Sequence, residues 1–173
     1  MNRYIGRSRR GSQRGAAVIE LALVLPILVM LVFGIFSAGL TYNDHLSLTN
    51  AVREGSRLGA AIDYSANGTG WANDVRTRVQ QTYFNGSSSL ADSQVCVALV
   101  SSAGTTLASA APQGTSCGTQ PPTGTIPTGT CVVKVWTAKP RTIELIVFPI
   151  KHLTITAQSV SYYGREAGSC VTQ

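Results

Sequence analysis

Acidic residues are scarce in this chain, and histidine scarcer still. Eight Asp and Glu and two histidines, His45 and His152, are spread over 173 residues. No pair of them has catalytic spacing. The available nucleophiles, such as Ser116 and Cys117, lie in a loop-like stretch with no histidine nearby. That inventory argues against an enzyme, and it calls for no cofactor and no small-molecule substrate. No Cys-x-x-Cys pair occurs among the four cysteines, which leaves a zinc site without its usual spacing. Basic charge is also missing from where nucleic acid would need it. Arg3, Arg7, Arg9, Arg10 and Arg14 precede Gly15 with no acid among them, and they supply all but one unit of the formal +6. A basic nucleic-acid face needs its charge on the folded part, so charge placement argues against that partner.

What the chain does contain is one long apolar run. From Leu21 to Tyr42 there is no charged residue. A hydrocarbon core of about 30 Å takes about 20 helical residues to cross, and the run meets that length. An amphipathic core helix would show a polar face, which is not seen here. Five arginines before the run place the N-terminus in the cytoplasm by the positive-inside rule. The sequence thus reads as a basic leader (1–15), a transmembrane helix (16–42) and an extracytoplasmic domain (43–173). A secretory signal peptide is the nearest alternative. Ser37, Ala38 and Gly39 would offer its cleavage site and a soluble domain would be released, but its apolar region is usually only about 7–15 residues.

All four cysteines, Cys96, Cys117, Cys131 and Cys170, follow the apolar run. An even number in an exported segment suggests two disulfides. Spacing alone leaves three pairings open. The short loop around the Pro-rich stretch favours Cys117 with Cys131, leaving Cys96 with Cys170.

The fold class expected is α+β: a long N-terminal transmembrane helix continuing into a small domain with a second helix and an antiparallel sheet of three or four strands. The first helix begins near Ala16 and contains Pro26, where a kink is expected. Leu48, Ala51, Val52, Gly55, Leu58, Gly59 and Ile62 continue it at three- and four-residue steps. Gly55 and Gly59 weaken a helix but allow close packing. Arg53, Glu54 and Arg57 read as a solvated face. Asn67–Gly70 reads as a break, followed by a second helix with Trp71, Val75, Val79 and Tyr83 on one face and a stop at Asn85 and Gly86. Period-two alternation then marks strands around 95–100, 131–136 and 153–158, with Ile143, Leu145 and Val147 as a possible fourth. Residues near 101–130, rich in Gly, Ser, Thr, Pro and Ala, read as a long exposed loop held through Cys117.

One acid sits at the edge of the apolar run. Glu20 follows Gly15 by five residues, and the bland reading is a helix-end carboxylate that reaches the interface. A cut after Gly15 gives the spacing a sharper meaning. It frees the amine of Ala16, largely cationic at neutral pH, with Glu20 one helical turn along to oppose it. It also removes the arginines that hold the helix in the membrane. The stretch RGAAVIELALVLPILVMLVFGIFSAG closely resembles the start of TadE-like proteins, minor pilins (pseudopilins) of Tad/Flp pilus systems. AVREGSRLGA and, more loosely, LTITAQSVSYYGRE extend the resemblance. It implies a leader removed between Gly15 and Ala16 by a prepilin peptidase, and an assembly role for Glu20. Its implied partners are other pilins, the pilus assembly machinery and membrane lipid. The processed motif usually carries Tyr or Phe after the glutamate, where this chain has Leu21.

Overall fold

The computed structural model describes residues 12–83, 90–91, 94–110, 117–122, 124–145, 148–163 and 170. The basic leader as far as Gly11, the stop at Asn85 and Gly86, Ser116 and Val147 lie outside the described residues. The chain divides into two compact units, residues 1–40 and 41–173. Helix α1, Ser12–Ala61, contributes to both and contains Pro26. In the first unit no side chain from Gly15 to Leu40 is buried. This segment is long and apolar enough to cross a membrane.

The second unit is built from the rest of α1, helix α2 (Tyr64–Thr82) and strands β1 (Val95–Ser101), β2 (Thr106–Ala110), β3 (Cys131–Leu145) and β4 (Phe148–Tyr162). The strands form one antiparallel sheet in the order β2-β1-β3-β4. The α+β class expected from the sequence is the one observed. Alternation along each strand sends Val95, Val97, Leu99, Val133, Val135, Ile155 and Ala157 to one face, where they share a core with Leu48, Val52, Trp71, Val75 and Val79 of the helices. The opposite face carries Cys96, Ala98, Val100, Val132 and Trp136, packed with Cys117 and Ile126 of the segment before β3.

Gly55 and Gly59 are where α1 meets α2. A Cβ on Gly55 would run into Cγ2 of Val79, and one on Gly59 would stand 3.0 Å from both Val75 and Val133. Valine is stiff at χ1 and cannot swing aside. Trp71 seals the same contact, its Nε1 donating to the Gly59 carbonyl at 3.0 Å. Gly55→Leu is therefore expected to destabilise the second unit by at least about 1–3 kcal/mol through overpacking, beyond any gain in helix propensity. Denaturant midpoints of the full chain in detergent check this; an unchanged midpoint would contradict the packing.

Three sequence expectations need correction. The helices break at Ile62–Asp63, and α2 runs straight through Asn67–Gly70. Tyr163 fixes the break: its hydroxyl accepts from the Tyr64 backbone N–H at 2.8 Å and donates to the Ile62 carbonyl at 3.2 Å. Those two contacts serve groups that helix ends leave unpaired. Residues 143–145 are not a separate strand but the end of β3, which pairs with β4 from Val132↔Tyr162 to Leu145↔Phe148. Pro140 is tolerated there because β1 covers β3 only as far as Thr137, and among the described residues no strand pairs with that side of β3 beyond it. The fourth strand is β2, inside the segment read as loop. A tight turn with Gly104 at φ +81° folds it back onto β1.

Candidate functional site

Gly15, Ala16 and Glu20 all lie on α1 in the first unit, and all are exposed. Nothing comes within 4 Å of a Cβ built on Gly15. Ala16 and Glu20 are four residues apart on one helix, so they are neighbours on its surface, about 6 Å along the axis. The Gly15–Ala16 peptide bond falls in the first turns of α1, which starts at Ser12. A peptidase that takes extended backbone must unwind that end. Helix termini lack four of their bonds, and Gly is the residue that costs least to unwind apart from Pro.

The four cysteines form two disulfides, Cys96–Cys117 and Cys131–Cys170. The pairing favoured by loop length, Cys117 with Cys131, is thus corrected. The sheet itself forbids it. Cys96 and Cys117 lie on the face away from the helices, whereas Cys131 and Cys170 lie in the core between sheet and helices. A Cys117–Cys131 bond would have to pass through the sheet. Cys117 is also no free thiol, so it offers no nucleophile.

The loop over the outer face does more than the sequence suggests. It buries Lys134, which is 3% exposed and donates to the Pro121 carbonyl at 2.8 Å. Burial holds the Lys134 ammonium below the ordinary lysine range. Of the face read as solvated, Arg53 and Arg57 are exposed, while Glu54 pairs with Arg78 of α2 at 2.9 Å. That hydrogen bond with Arg78 lowers the Glu54 pKa.

A polar cluster not anticipated from the sequence sits within the second unit. Asp44 of α1 is 1% exposed. Its carboxylate accepts from the Tyr83 hydroxyl and from Arg141 at 2.5 Å, with Lys139 4.0 Å away. Lys139 donates to the Tyr83 hydroxyl at 2.5 Å and stands 4.6 Å from the ring centre. Desolvation lowers the Lys139 pKa, and the Asp44 charge opposes that shift. The sequence holds part of the signal: Lys139 and Arg141 continue the alternation of Val133 and Val135, which puts two cations on the face toward the helices. Asp44 joins α1, the end of α2 and the β3–β4 hairpin in one network.

A depression of about 510 Å³ is lined by His45 and Thr49 of α1, Thr156 and Gln158 of β4, and Cys117 and Thr119 of the outer loop, among others. Nothing in its lining carries a fixed charge. Among the described residues no group of three or more His, Cys, Asp or Glu is placed to hold a metal.

A helix long and apolar enough to span a membrane, followed in sequence by a disulfide-bonded α+β unit, is the arrangement of a protein that a membrane could anchor. The particular family model that matches is that of TadE-like protein, over residues 15–57. The match begins at Gly15 and ends within the buried stripe of α1, so it takes in the apolar segment, Glu20, Asp44 and Gly55. It marks the chain as TadE-like over that segment, consistent with a protein associated with the Tad pilus. No curated protein and no solved structure matches.

Proposed function

We propose that this chain is a minor pilin, or pseudopilin, that takes part in assembling a Tad/Flp-type pilus through helix packing and surface contacts. The observation that carries the reading is the TadE-like match from residue 15, which starts at the residue before the proposed cut. In this reading the precursor inserts with its arginines in the cytoplasm, residues 16–42 span the membrane and residues 43–173 lie outside. A prepilin peptidase cuts between Gly15 and Ala16, and the helix then leaves the lipid to pack among other pilins. The exposed apolar side chains along α1, Leu23 at 70% and Ile35 at 74% among them, suit lipid first and neighbouring helices afterwards. The protein acts without chemistry of its own. The deciding experiment is the N-terminus and intact mass of protein purified from its own cells, where Ala16 is expected first.

Glu20 gives a second test. Removing a carboxylate near the membrane edge should ease insertion, if it changes it at all. The same change leaves the freed Ala16 amine without its counter-charge among packed helices. Glu20→Ala is therefore expected to keep its normal abundance in the membrane fraction while pilus counts drop severely. Glu20 is exposed on α1, so misfolding does not stand in for that outcome. Normal piliation in the mutant would reduce Glu20 to an ordinary helix-end residue.

A further inference from the structure

β4 is the last strand of the sheet, and among the described residues no strand pairs with its outer side. Free edges are templates for another strand, and proteins commonly protect them with charge, proline, bulges or shortness. The opposite edge has such protection: β2 has five residues, and the ladder beside it is irregular at Leu99/Val100. β4 has none from Leu153 to Tyr162. That stretch, LTITAQSVSY, holds no charge, no Pro and no Gly, and its register against β3 is unbroken. Ten residues offer an edge of about 33 Å.

Two further observations fall on the same strand. Outside α1, the large apolar side chains left exposed among the described residues are Leu153 (42%), Val160 (43%) and Tyr162 (63%), all on β4. The depression described above also lies here. Its lining combines the helix layer (His45, Thr49) with the outer loop (Thr119) and β4 itself (Thr156, Gln158). The two layers lie on opposite faces of the sheet, so they can meet at β4 only round its free edge.

We propose that the free edge of β4 is an interface that pairs with β4 of a second copy of this chain. The absence of charge is what selects the occupant. An antiparallel pairing centred on Ala157 sets Thr156 opposite Gln158 and Leu153 opposite Ser161, with no like charges facing. It satisfies the same row of backbone groups in both copies and closes on itself, so no β4 edge is left free. A charged partner segment would find no complement on this strand. The depression leaves room for side chains of the partner strand. The inference stands apart from the pilus role, since it uses only the second unit.

The test uses the full chain in its native membrane. A benzoyl-phenylalanine photoprobe in place of Val160 is expected to give an adduct of twice the chain mass, with β4 residues in both cross-linked peptides. Combining Thr156→Lys with Gln158→Lys is expected to lower that adduct about tenfold or more, by setting like charges across the pair. Both side chains are exposed. Co-expression with a Thr156→Glu, Gln158→Glu copy is expected to restore a mixed adduct, which misfolding would not do. No adduct, an adduct with a different molecule, cross-links outside β4, or a yield indifferent to the lysines would each overturn the proposal.

Discussion

Replacing both Cys131 and Cys170 with alanine is expected to destabilise the second unit by about 4 kcal/mol. Chain-entropy arguments give on the order of 4 kcal/mol for a bond spanning 39 residues and about 3 kcal/mol for one spanning 21. Location widens that gap. Cys131 is fully buried and Cys170 is 4% exposed, and both belong to the core shared by sheet and helices. Truncating them also removes two packed sulfurs. Cys131 begins β3, and its carbonyl accepts from the Tyr163 N–H at 2.8 Å. Tyr163 in turn holds the α1–α2 break. Losing the bond thus loosens the anchor point of the helical layer as well as the chain end. The Cys96–Cys117 bond instead pins the outer loop, so its loss should expose Lys134 and Trp136 before it melts the core. Urea or guanidinium midpoints of the full chain in detergent decide the matter, with and without reductant. Reductant breaks both bonds, so it should bring the wild type and the doubly substituted protein to similar midpoints, below that of the variant without reductant. Equal midpoints for wild type and the Cys131/Cys170 variant would show that the core holds without the bond.

The sequence carried the parts of this fold that repeat. Twenty-two uncharged residues from Leu21 to Tyr42 are enough to mark a span. The stripe from Leu48 to Gly59 and the series Trp71, Val75, Val79 mark two helices that bury one face each. Alternation of period two found three strands. What stayed hidden depends on contacts distant in sequence. The α1–α2 break is set by Tyr163, about a hundred residues away in the chain. Gly68 and Gly70 looked like a stop because their neighbours are polar, yet α2 passes through them. β2 was hidden by its composition, TLASA, whose small side chains show no alternation until a partner strand defines the faces. The disulfide pairing, which spacing leaves open among three, was hidden for a related reason. Loop length is a local quantity, whereas the face on which a cysteine lies requires the register of the whole sheet. Nothing near Asp44 in the sequence marks a partner for it. Only the hairpin brings Arg141 and Lys139 to it.

Gly15→Arg is expected to abolish processing while leaving the protein in the membrane. The structure leaves room for the substitution: Gly15 is exposed, and a Cβ there meets nothing within 4 Å. Arginine also favours a helix over glycine by nearly 1 kcal/mol, so α1 should form at least as well. In the proposed orientation, one more positive charge before the helix strengthens cytoplasmic retention of the N-terminus. Folding and insertion are thus unharmed, and the effect isolates recognition. The proposed cut lies within the first turns of α1, so the peptidase must bind Gly15 and Ala16 unwound. Glycine unwinds at low cost and has no Cβ to obstruct an extended backbone; arginine resists unwinding and brings a long cationic side chain to the scissile bond. Gly15→Ala should fall between, since it adds helix propensity but little bulk. In cells that hold the cognate peptidase, mass analysis should find Ala16 at the N-terminus of the wild type. In Gly15→Arg the leader should remain, with pili lost and membrane-fraction abundance unchanged. A wild-type N-terminus near Leu40 would instead indicate a secreted domain, and one at Met1 an uncut anchor. If Gly15→Arg still yields Ala16 at the wild-type level, Gly15 is not what the peptidase reads.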